Sequence, residues 1–204
     1  MAIIIIVIAA GSTMAIEEAG YRVITSEKPF EVRDYTPHIV AETIVETNLE
    51  DAGNAAFNIL FGYISGENRS RSKIAMTAPV SQQPKGERIA MTAPVGQQPI
   101  EGKNAWSVTF MMPSGYTLDS LPVPNHPAIT IRQVPPQRMA VVRYAGFWNE
   151  KGYRENEIKL EAWIRDKGYG IIGDPVWARY NPPFTPWFFR RNEILIPIQI
   201  EDPT

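Results

Sequence analysis

Short stretches of alternating hydrophobic and polar residues recur along the chain, and they predict β-strands. Phe30 and Val32 belong to one such stretch, and Ile129 and Ile131 repeat the same spacing further along. Residues two apart lie on one face of a strand, so this spacing is typical of a half-buried strand. Two more strands are predicted from β-branched and aromatic composition, at residues 106–112 and 192–200.

Two longer segments show the spacing of three and four that places hydrophobic residues on one face of an α-helix. In residues 49–64 these positions are Phe57, Leu60, Phe61 and Ile64. Residues 150–167 carry a comparable apolar set among many charged residues. Both segments are predicted to be helices that lie on a sheet through their apolar faces.

The second half of the chain repeats the pattern of the first half. Arg33 aligns with Arg132, which lies 99 residues later. The same offset relates Pro37 to Pro136, Ala41 to Ala140, Gly53 to Gly152 and Ile59 to Ile158. Each half reads as strand, proline-containing turn, strand and helix, which predicts one hairpin closed by Thr36-Pro37 and another closed by Pro135-Pro136. The predicted fold is one α+β domain of two related halves.

The composition is that of an ordinary globular domain. The chain of 204 residues has a net charge of −2 and no cysteine. Neither a disulfide framework nor a cysteine-based metal site is therefore expected. No basic stripe indicates a nucleic-acid surface, so nucleic acid is not an expected partner. A single domain covering residues 21–204 is predicted.

The N-terminal segment, residues 1–20, is considered separately because residues 2–10 form an unbroken apolar run. This run is too short for a helix that crosses a bilayer, so no transmembrane span is expected. The run resembles a signal peptide with a small-x-small site at residues 13–15, although no basic residues precede it. A buried or edge strand is the other interpretation. Export and retention in the cytoplasm both stay open.

A segment of eleven residues occurs twice, and ten of its positions are identical. The copies are I-A-M-T-A-P-V-S-Q-Q-P at residues 74–84 and I-A-M-T-A-P-V-G-Q-Q-P at residues 89–99. Alternation that ends at proline predicts two neighbouring short strands, each leading into a Gln-Gln-Pro turn. Met76 and Met91 are then expected in equivalent surroundings. Alternatively, the two flexible thioethers line an apolar binding site.

The doubled segment resembles the signature strand of the SOUL family of haem-binding proteins. Further segments resemble the family in the same order: F-E-V-R-D-Y at residues 30–35, G-Y-I-S-G at 62–66, and A-R-Y-N-P-P-F-T-P-W-F-F-R-R-N-E-I at 178–194. The resemblance implies a distorted antiparallel β-barrel flanked by two α-helices, similar to GyrI-like effector-binding folds. It also implies a non-enzymatic protein that binds haem or another tetrapyrrole.

Two segments are candidates for the two sides of such a binding site. The resemblance places haem against the first helix, which offers one stripe: Asn54, Phe57, Leu60 and Phe61. Residues 182–191 concentrate aromatic side chains among three prolines, and such a loop needs something flat or apolar to cover it. The ligand contacts expected from this loop are Phe184, Trp187, Phe188 and Arg190. In the alternative interpretation, the stripe belongs to the core and the loop caps the barrel.

Strong ligation of haem iron by the protein is not expected, and no metal-ligand residue is predicted. Asp34 stands where some animal family members have a histidine proposed as an iron ligand, and a carboxylate holds haem iron poorly. His38 and His126 lie beside turn-like residues and are predicted to be exposed loop residues. The first helix has no Lys or Arg for the haem propionates, which leaves other basic residues as partners: Arg69, Arg71, Lys73, Arg190 and Arg191.

No catalytic residue is predicted, because the sequence contains no recognised catalytic motif. Two alternatives to haem binding stay open. One is an effector-binding module similar to GyrI-like domains, which holds another flat or amphipathic small molecule in the same groove. The other is a hydrolase on this fold, with Glu193 or Glu42 as the general base. For the run of Arg190, Arg191, Asn192 and Glu193, an Arg–Glu pair that fastens the last strand is favoured. Arg33 and Arg132 are predicted to be structural residues.

Overall fold

A computed structural model describes residues 16–71 and 86–200 of the chain. In these ranges the α-helices are α1 (Leu49–Ser65) and α2 (Glu150–Asp166), and a 3-10 turn covers Trp187–Phe189. The strands are β1 (Tyr21–Glu27), β2 (Phe30–Tyr35), β3 (His38–Val45), β4 (Asn68–Arg69), β5 (Val95–Pro99), β6 (Trp106–Met111), β7 (Val123–Pro124), β8 (Ile129–Val134), β9 (Gln137–Tyr144), β10 (Gly170–Ile171), β11 (Val176–Arg179) and β12 (Asn192–Gln199). The predicted helices, and the strands predicted at 106–112 and 192–200, are confirmed to within one residue at each end.

The main sheet is antiparallel and curled. Its strand order is β1-β2-β9-β12-β11-β5-β6-β3-β8, and β10 pairs with β12 outside this path. Strands β4 and β7 form a separate pair. Strands β11 and β5 meet at the centre, where Trp177 lies opposite Gln97. The strands on either side of this central pair mirror one another, which confirms the predicted α+β architecture of two related halves.

The predicted hairpins are wrong. Strand β2 pairs with β9 and strand β3 pairs with β8, so strands of one half pair with strands of the other half. Alternation shows that a segment is a strand, but it does not identify the neighbouring strand. The offset of 99 residues is nevertheless confirmed, because shifting β2 and β3 by 99 gives the bounds of β8 and β9.

Both helices begin at an asparagine cap and pack on the same face of the sheet. The side chain of Asn48 accepts a hydrogen bond from the backbone N–H of Asp51, and that of Asn149 accepts one from Gly152. Helix α1 packs on β3 and β6, whereas α2 packs on β9 and β12. The opposite, concave face carries no helix from the described residues. No helix within residues 16–71 and 86–200 is long and apolar enough to cross a bilayer.

Only the second copy of the doubled segment lies within the described residues. Its Gln-Gln-Pro part belongs to strand β5, so the predicted turn is wrong for this copy. The side chain of Gln97 is buried beneath α1, where it accepts a hydrogen bond from Arg179 at 2.8 Å, and this contact favours the strand. The first copy, residues 74–84, lies outside the described residues, as do residues 1–15. The pairing of the two copies, and the equivalence of Met76 with Met91, stay predictions.

The two histidines differ in their surroundings. His38 is the first residue of β3 and is half-buried, so the prediction of an exposed loop residue is wrong for it. The strand begins directly after Pro37, with no loop residue between. His126 is exposed and lies in the loop between β7 and β8, as predicted.

Candidate functional site

Residues 182–191, here called the aromatic loop, display their rings at the surface. The exposed fractions are 86% for Phe184, 48% for Trp187, 54% for Phe188 and 72% for Phe189. Trp187 stacks on Phe147 with 5.3 Å between ring centroids, and Phe188 contacts both of its neighbours in the chain. A contiguous exposed patch of large apolar side chains is typical of a binding surface.

Arg190 holds the aromatic loop in shape. Its Nε donates to the carbonyl of Thr185 at 2.8 Å, and its Nη2 donates to the carbonyl of Pro183 at 2.7 Å. The guanidinium also lies over the ring of Trp148, 4.3 Å from the centroid. Arg190 was predicted as a ligand contact, and these bonds assign it a structural role in the loop.

The stripe predicted on α1 divides between core and surface. Leu60 is fully buried in the core, so the prediction that it contacts a ligand is wrong. Phe61 is 46% exposed and stacks on Phe57 with 5.5 Å between centroids. Asn54 is exposed, and Phe57 is half-buried against Phe110. The accessible stripe therefore consists of Asn54, Phe61 and one edge of Phe57.

The start of α1 and the aromatic loop meet through a stack of two arginines on Trp148. Arg179 lies 5.1 Å from the centroid of this ring, which Arg190 also contacts. Arg179 also reaches α1, since a side chain added at Gly53 would meet its Nη1 at 2.6 Å. Sequence reasoning missed Phe147 and Trp148, although this aromatic pair directly before α2 was a visible signal. Trp148 and its two arginines therefore connect the start of α1 with the aromatic loop, the two predicted sides of the site.

Phe61 lies further along the helix. It is eight residues beyond Gly53, about 12 Å at 1.5 Å per residue. Phe61 contacts the ring of Phe57, and Trp187 contacts the ring of Phe147. Neither contact joins α1 to the aromatic loop. A single cavity shared by Phe57, Phe61, Phe184 and Trp187 therefore stays a prediction.

Asp34, at the position considered for an iron ligand, lies away from the aromatic loop. Asp34 is paired with Arg138 at 2.6 Å, and the hydrogen bond from Arg138 holds the pKa of Asp34 below its ordinary value. Arg138 and Tyr144 lie at opposite ends of β9, about 20 Å apart at 3.3 Å per residue. The loop lies near Tyr144, since the N–H of Gly146 donates to Trp187. Within the described residues, no group of three or more His, Cys, Asp or Glu side chains is placed to hold a metal ion.

Glu193 is the centre of a buried ion-pair network on the concave face. Arg191 donates to it at 3.0 Å, which confirms the predicted Arg–Glu pair of the last strand, and Arg33 donates to it at 2.8 Å. The hydroxyl of Tyr180 donates to it at 2.8 Å. Burial alone would raise the pKa of Glu193, but the hydrogen bonds and charge of Arg33, with Arg191, outweigh burial and hold the pKa below its ordinary value.

Neither glutamate considered as a general base is arranged for that role. A general base works best with a pKa near the working pH. The hydrogen bond from Arg132, assisted by Ser107, holds the pKa of Glu42 below its ordinary value, as Arg33 and Arg191 do for Glu193. Glu193 is also fully buried. These contacts favour structural roles for both carboxylates.

The buried network predicts a specific acid sensitivity. A carboxyl group whose pKa is lowered by folding stabilises the fold fully at pH values above its pKa in the unfolded chain, here 4.5. This contribution is lost as the pH falls below that pKa. We therefore expect the difference in unfolding free energy between the unmodified protein and Glu193→Gln to shrink below pH 4.5. Urea unfolding at several pH values measures this difference. A difference that stays constant or grows towards low pH would contradict the assigned direction.

Comparisons with known proteins agree with this architecture. A family model described as SOUL heme-binding protein matches residues 16–197. Human heme-binding protein 2 is 26% identical over 200 residues, which cover 95% of this chain and 91% of that protein. The crystal structure of the EcmrR C-terminal domain superposes with a TM-score of 0.61 at 12% identity, covering 88% of this chain and 98% of that chain. A hydrolase from Listeria innocua gives 0.56 at 8% identity, covering 86% and 94%. At such identities the two solved structures show a shared fold alone.

Proposed function

Because the chain belongs to the SOUL haem-binding protein family, we propose that it binds haem or a related tetrapyrrole without catalysing a reaction. The observation that carries this proposal is the exposed set of rings on the aromatic loop. Large aromatic side chains gain free energy when a ligand removes them from water. A flat apolar macrocycle fits such a surface, because ring faces stack on one another.

The proposed contacts come from two sides. From the aromatic loop they are Phe184, Trp187 and Phe188. The ring of Phe147 stacks on Trp187. From α1 they are Asn54, Phe57 and Phe61. Haem bound there would supply a redox-active iron. The chain's own side chains supply apolar contact and shape.

One arginine of the aromatic loop can pair with a propionate. Arg191 is already paired with Glu18 and Glu193. Arg190 donates to loop carbonyls through Nε and Nη2, which leaves Nη1 to meet a propionate. We therefore expect one propionate to lie beside Arg190 and the other to face solvent.

The alanine variant of Trp187 tests this proposal. It is expected to weaken haemin binding about tenfold or more, because the exposed half of the ring loses contact worth on the order of 1–3 kcal/mol. Titration with haemin, followed through the Soret band, measures the affinity. Ile158→Ala is a matched control, since Ile158 is an exposed apolar residue on the outer face of α2. Unchanged affinity in Trp187→Ala would remove the aromatic loop from the site.

A second prediction concerns the iron. The variants His38→Ala and His126→Ala are each expected to leave the haemin spectrum unchanged. The imidazole of His38 lies within 3.1 Å of the carbonyl of Thr36, and that of His126 accepts from the N–H of Ala128 at 3.2 Å. Loss of a low-spin spectrum in either variant would identify that histidine as an axial ligand.

A further inference from the structure

A cavity of about 420 Å³ lies on the concave face of the sheet, opposite the helices. This volume falls in the range of sites for small molecules. Strands from both halves contribute to its wall, so it lies on the approximate two-fold axis between β11 and β5. The apolar part of its lining includes Val40, Met111, Met139, Val176 and Leu195. The neutral polar part includes Gln98, Thr109 and Gln137.

One arginine–glutamate pair lies on each side of this axis. Arg33 and Arg132 are equivalent residues, but their partners are not. Arg33 binds Glu193 on β12, two strands away, and Arg132 binds Glu42 on the neighbouring strand β3. The Arg33 pair is buried, because both side chains are nearly inaccessible to solvent. The Arg132 pair is partly exposed to solvent, with 41% of the arginine side chain accessible.

Two differences accompany the exposure of the second pair. Strand β1 lies beside β2, whereas β8 is an edge strand of the main sheet. The other difference is a missing hydroxyl group. Nη1 of Arg33 donates to the hydroxyl of Tyr35 at 3.0 Å as well as to Glu193. The residue equivalent to Tyr35 in the other half is Val134, which has no hydroxyl group. Arg132 uses Nε and Nη2 for Glu42, and its Nη1 makes no hydrogen bond to residues 16–71 or 86–200. Arg132 also lines the cavity, so it offers an unused charged donor there.

We infer that this cavity is a second ligand site, separate from the aromatic loop, for a compact amphipathic molecule that carries a carboxylate. The acid group takes the place that Tyr35 occupies in the other half, beside Nη1 of Arg132. The apolar body lies on Val40, Met111 and Met139. Arginine binds carboxylates through charge-assisted hydrogen bonds. Both oxygens of Glu42 already accept hydrogen bonds, whereas Nη1 of Arg132 is unused, so an anion is favoured over a cation.

Isothermal titration calorimetry with three probes of similar chain length tests the ligand class. Decanoate, decanol and decyltrimethylammonium carry unbranched apolar chains within one methylene of each other, and they differ in the head group. We expect decanoate to bind at least about tenfold more tightly than either of the others. Absence of decanoate binding would overturn the inference. So would equal or tighter binding of the ammonium probe, which would point to the exposed Asp174 on the cavity wall.

Variants then locate the site. Glu42→Gln combined with Arg132→Gln replaces the ion pair by a neutral pair of similar shape, and we expect it to weaken decanoate binding about tenfold. Asp34→Asn with Arg138→Gln is the matched control, because Arg138 grips Asp34 through the same two nitrogens outside the cavity lining. The control is expected to retain decanoate affinity. Equal losses in both double variants would overturn the assignment to Arg132.

A cavity-filling variant provides an independent check. Gln98 is half-buried and lines the cavity, so Gln98→Trp is expected to abolish decanoate binding. Haemin titration of the same variant is expected to match the unmodified protein, which separates this site from the proposed haem surface. Circular dichroism melts confirm that the variant is folded. Decanoate binding that survives in folded Gln98→Trp would place the decanoate elsewhere and overturn the inference.

Discussion

Replacement of Glu193 by alanine is expected to lower the free energy of unfolding by about 3–5 kcal/mol. The substitution removes the fully buried one of the two carboxylates that pair with Arg33, which is only 2% exposed, and leaves the partly exposed Glu31 as the other. Breaking a buried ion pair is far more unfavourable than losing a surface ion pair. Tyr180 also loses the acceptor of its hydroxyl. Chemical denaturation at neutral pH measures the change.

The control for this prediction is an ion pair on the surface. Asp34→Asn breaks the contact with Arg138, in which both side chains are partly exposed to solvent. Water replaces the lost partner there, so the expected change is below about 1 kcal/mol. If Glu193→Ala destabilised the protein no more than Asp34→Asn does, the buried network would not be an important source of stability.

Alanine at Leu60 and alanine at Phe61 are expected to have opposite effects. Leu60 is fully buried, so Leu60→Ala leaves a cavity and should lower the free energy of unfolding by about 2–5 kcal/mol. Phe61 is 46% exposed, so Phe61→Ala should leave stability nearly unchanged. If Phe61 contacts the ligand, its loss should weaken haemin binding about tenfold.

Thermal melts without ligand and haemin titrations of both variants make this comparison. Neighbouring residues on one helix serve as controls for each other, because helix propensity and position are closely matched. Strong destabilisation by Phe61→Ala without a selective loss of affinity would mean that Phe61 belongs to the core. Loss of haemin affinity in Leu60→Ala at unchanged stability would reverse the assignment of the two side chains.

The proposed haem surface and the inferred cavity lie on different parts of the sheet but share strand β12. Its first residues follow Arg190 and Arg191, which fix the aromatic loop and the Glu193 network respectively. Leu195, two residues beyond Glu193 on the same face of the strand, lines the cavity. A change at Glu193 is therefore expected to disturb both sites, whereas Gln98→Trp affects the cavity alone.

Local features were determined by the sequence itself. The offset of 99 residues gave the bounds of β8 and β9 from those of β2 and β3, and the spacing of apolar residues gave both helices to within one residue. Asparagine before each helix supplied the cap. These features depend on residues close together in the chain, where periodicity and capping act directly. The family resemblance was likewise carried by short motifs in order.

Tertiary structure alone decided the contacts between distant residues. It paired β2 with β9 and not with β3, and it placed Gln97 in a strand where it meets Arg179. It also buried Leu60 and left Phe61 exposed, a distinction that depends on where the sheet lies beneath α1. Glu193 met Arg33 across 160 residues of sequence. Such contacts follow from the packing of the whole sheet, because many segments compete for each partner and only the complete fold selects among them.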